Sequence, residues 1–171
     1  MTEDGLHLIE HRIVERPAFK VVGRKTWIAG PDNDLFGRFW AQCKEEGLFE
    51  VFGEISGLRV GPQTNGAMLG ISRVENDPSR RDFYYMIAIE IPSDGAEHNL
   101  ETYRVPASQW AVFECRGKVP DSIVSAEMYA FMEWLPASGF EHANAPEMEV
   151  YPPGSDTYCE FWLPIRKAQP F

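Results

Sequence analysis

The chain has 171 residues, of which 44% are hydrophobic and 13% aromatic, enough apolar side chain to fold around a core and to exclude an extended disordered protein. Its net charge of −10 and pI near 4.8 exclude a general binder of phosphate backbones, because the surface repels them and no Lys/Arg run offsets this. The adjacent arginines lie in the turn-like "SRRDF", 79–83.

At the start, "MTEDGLHLIEH" is acidic and lacks the apolar stretch of a signal peptide, and no apolar run approaches the roughly 18 residues that span a membrane. Cys43, Cys115 and Cys159 are odd in number, far apart and without a CxxC spacing. They predict reduced thiols in a cytoplasmic protein rather than a disulfide framework or a zinc site.

The first strand-like run is "ERPAFKVVGRK", 15–25. A helix is predicted over 34–47, where Leu35, Phe39 and Cys43 recur at helical spacing with Phe36 and Trp40 beside them. Asp34 suits its start and Gly47 its end. The Gly-rich stretch 52–66 reads as loop around a short strand. Two strands follow, "GAMLGISRV" (66–74) and "FYYMIAIEI" (83–91), separated by the turn-formers "ENDPSRRD". On the second, Phe83, Tyr85, Ile87 and Ile89 share one face, and Tyr84, Met86, Ala88 and Glu90 the other. The polar "IPSDGAEHNLE", 91–101, is the expected connector.

The pattern then repeats. "RVPASQWAVFECRG", 104–117, echoes the first strand: Pro-Ala, alternating apolar residues, then glycine. A second helix is predicted over 121–135, with Ile123, Val124, Met128, Phe131 and Leu135 as its core stripe, Asp121 or Ser122 at its start and Pro136 ending it. Tyr129 and Trp134 fall off that stripe. The strands "EMEVYP" and "TYCEFWLPI" close the chain around the turn "PPGSD".

Strand–helix–strand–strand, twice, predicts an α+β fold: one domain over 1–171 with internal repeats at about 5–92 and 100–171. One such unit buries a single sheet face, so two are expected to pair about a pseudo-twofold axis, with antiparallel strands, helices on one side and a ligand cleft between the halves. In "PEMEVYPPG", 146–154, Glu147, Glu149 and Tyr151 leave one side of a strand. They form either a solvated face or part of that cleft. A carboxylate withdrawn among aromatic rings costs several kcal/mol unless paired. A cation about 4 Å away returns roughly 4 kcal/mol at an effective dielectric near 20, and each ring face adds about 0.5–2 kcal/mol. Lipophilic cations are therefore the matching ligands. Trp40, Tyr84, Tyr85, Trp110, Phe113, Tyr129, Tyr151 and Trp162 are candidate walls, each equally suited to packing.

The four histidines, His7, His11, His98 and His142, show no metal-ligand spacing, and no GxSxG, P-loop or GxGxxG occurs, so neither metal nor cofactor is expected. A carboxylate acting as general base with a nearby tyrosine stays open.

Taken together, "ERPAFKVVGRK", "VPASQWAVFECRG", "MEWLPASGF", "PEMEVYPPG" and "CEFWLPI" resemble the GyrI-like small-molecule-binding domain, the effector-binding module of AraC-type and MerR-type multidrug regulators, over nearly the whole chain. The resemblance implies two βαββ units around a hydrophobic, aromatic cleft. It also implies that the glutamate of an E-x-Y strand, here Glu149 followed by Tyr151, lies deep in that cleft, with Glu147 its solvated neighbour. No helix-turn-helix precedes the module, so the chain resembles the stand-alone branch, without direct nucleic-acid or membrane contact. The first expectation is a binding protein for lipophilic, cationic small molecules. One alternative is a hydrolase of strained-ring toxic compounds using Glu149 as base. Another is an interaction module acting on a protein partner such as DNA gyrase, or forming a homodimer; a truncated regulator is a weaker one.

Overall fold

Period-two alternation in the apolar runs produces most of the architecture. The computed structural model describes residues 9–29, 34–58, 61–74, 82–91 and 100–168; Arg80, Arg81, His7, His98 and most of the expected connector lie outside the described residues. The first half contains β1 (His11–Arg16), β2 (Phe19–Ile28), α1 (Asp34–Glu45), α2 (Leu48–Leu58), β3 (Met68–Arg73) and β4 (Phe83–Ile91). The second contains β5 (Glu101–Val105), β6 (Ser108–Arg116), α3 (Asp121–Tyr129), a π-helical turn (Ala130–Trp134), α4 (Leu135–Ser138), β7 (Phe140–His142), β8 (Glu147–Tyr151) and β9 (Tyr158–Lys167).

The strands form one antiparallel sheet in the order β1-β6-β9-β8-β3-β4-β2-β5, with β7 attached to β9. That order reads the same from both ends once the halves are exchanged: β6, β9 and β8 correspond to β2, β4 and β3. The edge strands are traded. β1 precedes β2 in the chain but pairs with β6, and β5 precedes β6 but pairs with β2. Register repeats as well. Arg16 lies opposite Ser108 as Val105 lies opposite Phe19, and Phe161 opposite Phe113 as Ile87 opposite Arg24. Phe161 in turn faces Glu149, and Ile87 faces Gly70. Glu149 and Gly70 pair with each other across the seam between β8 and β3. The pseudo-twofold axis of the two βαββ units therefore passes through this one residue pair.

Both helical layers cover the same face. Phe39, Cys43, Leu48, Phe52 and Ile55 of α1 and α2 pack on Val22, Tyr85 and Ile87. Ile123, Ala126 and Ala130 pack on Phe113, Phe161 and Leu163. The opposite face carries a third cluster running from Phe19 and Val21 through Met86, Ile71 and Met148 to Trp162 and Trp110. Among the described residues it contains no helical one, and the sheet's right-handed twist and curl bring these side chains together. Each large side chain buried there contributes about 1.5–3 kcal/mol.

Three expectations change. The stretch from Phe52 is helical as far as Leu58, because Leu48, Phe52 and Ile55 have helical spacing that Gly53 and Gly57 disguise. Pro136 does not end the second helix; the helical run continues through the π-turn into α4, near whose start Pro136 lies, and Gly139 at φ +83° closes that segment. Of the stripe expected on the second helix, Ile123 is buried and Phe131 and Leu135 pack partly buried against the same cluster, whereas Val124 and Met128 are exposed and Ala126 and Ala130 take the buried side instead. No helix among the described residues is long and apolar enough to cross a membrane.

Candidate functional site

The two helical layers leave the seam strands β3 and β8 uncovered between them. The result is a cleft of about 1700 Å³, with Ser72, Tyr85, Glu149 and Tyr151 on its floor. Phe36 and Trp40 of α1 form one wall. Val124, Met128 and Met132, 49%, 55% and 70% exposed, form the other together with Phe131. Asp34, Asp82 and Glu127 at the lining outnumber Arg38, so the cleft is acidic as well as apolar.

Glu149 is the centre of a directed hydrogen-bond chain. The Trp40 indole N–H donates to the Tyr85 hydroxyl at 2.9 Å. Tyr85 donates to Glu149 Oε1 at 2.7 Å, and Tyr151 donates to the same oxygen at 3.0 Å. Both phenols reach it because nothing stands in the way on the neighbouring strand. A Cβ on Gly70 would lie 2.5 Å from Glu149 Oε1 and inside contact distance of the Tyr85 hydroxyl. Rings support the same floor: Phe36 meets Tyr85 edge-on with centroids 4.8 Å apart, and Trp40 meets Tyr151 at 5.5 Å. Glu149 lies deep in the molecule yet keeps part of its surface open to the cleft.

Burial raises the Glu149 pKa above the ordinary carboxylate value, against the lowering effect of the two tyrosine hydrogen bonds, and the Glu147 carboxylate adds a further upward push. Burial, and then the Glu149 charge, also hold the Tyr85 and Tyr151 hydroxyls well above the usual phenol value, so both remain donors.

Of the residues singled out from sequence, the structure brings Glu149, Tyr151, Trp40 and Tyr85 together in the cleft. Five others lie elsewhere, and strand alternation is the reason. Trp110 and Trp162 point to the helix-free face and pack on each other at 5.7 Å. Tyr84 points to that face too, half-exposed beneath Lys25 and beside Trp27. Phe113 is buried under α3, and Tyr129 packs edge-on against it. Glu147 is not solvated: it is 3% exposed, with His142 Nε2 at 3.0 Å. The Asn144 N–H donates to His142 Nδ1, which leaves Nε2 to carry the hydrogen toward Glu147. Sequence reasoning missed Gly70, Ser72 and Met132. The available signal was a second apolar stripe, Val124-Met128-Met132, on a helix whose other face is Ile123, Ala126 and Ala130. No group of three or more His, Cys, Asp or Glu placed to hold a metal occurs among the described residues.

Residues 12–165 match the Cass2 family of integron-associated effector binding proteins. The chain belongs to this family. As expected of such an effector-binding domain, its fold recurs in solved structures. SAV2435 bound to tetraphenylphosphonium aligns with a TM-score of 0.73 at 21% identity, over 92% of this chain and 94% of that one. An integron cassette protein of Vibrio cholerae aligns at 0.61 with 15% identity, over 91% and 95%. The transcriptional regulator BrlR of Pseudomonas aeruginosa is 26% identical over 165 residues, 90% of this chain. The chain spans 54% of that regulator's length, and the family match assigns it to effector binding.

Proposed function

We propose that this effector-binding chain holds a lipophilic cation in the cleft, with Glu149 as its counter-charge and Trp40, Tyr85 and Tyr151 as ring partners. The observation that carries the reading is a single carboxylate, withdrawn to the floor of an apolar cleft, to which no cationic side chain among the described residues is paired. An unpaired buried charge is costly, and a cationic ligand is the partner that relieves it. The phenols hold the carboxylate in place before any ligand arrives, which lowers the ordering cost of binding. Tetraphenylphosphonium, the molecule bound to SAV2435, has the expected chemistry: a delocalised positive charge inside an apolar shell.

Titrating tetraphenylphosphonium into the wild type and into Glu149→Gln, followed calorimetrically, tests this. Loss of the charge is expected to weaken binding by about tenfold or more, corresponding to about 1.4 kcal/mol. Equal affinities would remove the counter-charge role.

A further inference from the structure

Building on that cation-binding reading, we propose that the cleft selects cations bearing an N–H, such as protonated arylalkyl amines, over quaternary ammonium or phosphonium cations of the same size and charge. The two oxygens of Glu149 are not equivalent. Oε1 accepts both phenol hydrogens, from Tyr85 at 2.7 Å and Tyr151 at 3.0 Å. Among the described residues no donor reaches Oε2, nor is Oε2 sealed away from the cleft. A carboxylate offers about four lone-pair sites, so those of Oε2 are left facing the ligand space.

The indole and phenol hydrogens around the carboxylate are already committed. The Trp40 N–H occupies the Tyr85 oxygen, which directs the Tyr85 hydrogen to Oε1, and the Tyr151 hydrogen goes to the same atom. Gly70 keeps the opposing strand clear, so this arrangement holds without displacement. The floor is thus complete in donors on one side of the carboxylate and lacks one on the other. A ligand N⁺–H supplies it and gains a charge-assisted hydrogen bond as well as Coulomb attraction. A quaternary nitrogen or a phosphonium presents only carbon at its surface, and its charge centre stays one carbon shell further away.

The test uses a matched pair, protonated N,N-dimethyl-1-pyrenemethylamine and its N-methylated trimethylammonium counterpart, which share fluorophore and charge at neutral pH. The wild type is expected to bind the protonated amine about tenfold or more tightly than the quaternary salt. In Glu149→Gln both should weaken and the preference should largely vanish. If the wild type binds the two equally, or prefers the quaternary salt, while both still weaken in Glu149→Gln, N–H selection is overturned and the cation site stands. If neither responds to Glu149→Gln, the cation site falls and the selection with it. A thermal melt of the variant confirms that it is folded, and the wild-type comparison alone decides selection.

Discussion

Glu149 is held where its negative charge is least comfortable, and that sets its pH behaviour. Burial raises its pKa in the folded chain, so the fold favours the protonated form. The stability gained in this way is fully present below the ordinary glutamate value and is lost as pH rises through the raised one. Glu149→Gln, neutral throughout, should therefore melt above the wild type by a margin that grows across that window, as thermal scans from about pH 4 to about pH 8 will show. Cation affinity should run the other way. It is expected to fall as pH drops through the same window, beginning above the pH where an ordinary glutamate would protonate. Tyr85→Phe removes a donor from Oε1 and also strands the Trp40 N–H, for a loss of about 1–3 kcal/mol, whereas Tyr151→Phe breaks one bond and should cost about 0.5–1.5 kcal/mol by urea denaturation. The sequence singled out Glu149 through its E-x-Y setting, but residue type alone could not separate Tyr85 from Tyr84 or Trp40 from Trp110. Adjacent strand residues face opposite sides, and knowing which side carries helices requires the assembled sheet.

At the scale of elements, α3 shows why an apolar stripe is an ambiguous sign. Two stripes at helical spacing run along it. The one of small residues, Ala126 and Ala130 beside Ile123, lets the helix approach β6 and β9 closely and is buried. The one of long residues, through Met128, remains exposed in the cleft. Sequence periodicity counts both alike, and the larger side chains drew the core assignment. The distinction predicts opposite mutational outcomes. Met128→Gln should change stability by no more than about 0.5 kcal/mol while weakening uptake of an apolar cation, read by dye titration. Ala126→Leu should cost about 1–3 kcal/mol through overpacking. The strands were legible because alternation survives without context. The α2 helix was not, because two glycines within eleven residues look like loop until Leu48, Phe52 and Ile55 are seen buried together.

For the molecule as a whole, exchange of β1 and β5 ties the halves together: each βαββ unit is completed by a strand from the other segment. Unfolding is expected to be one transition, with tryptophan fluorescence and far-ultraviolet circular dichroism giving coincident curves. A fragment starting at residue 100 should fail to fold alone, since β6 loses β1 and β8 loses β3. The two repeats were visible in the sequence; the strand exchange was not, because nothing local distinguishes an edge strand that pairs with its own half from one that crosses over.

The pairing of Glu149 with Gly70 on the pseudo-twofold axis has a chemical consequence. Two identical subunits meeting at a dyad must place the same side chain on both sides of it. They would set two acids against each other, like charge beside like charge, or leave two glycines and no charge. Joining the halves covalently lifts that restriction. One strand supplies the carboxylate while its counterpart supplies only the room for it, so an otherwise twofold object can present a lone negative charge at its centre to a monovalent guest.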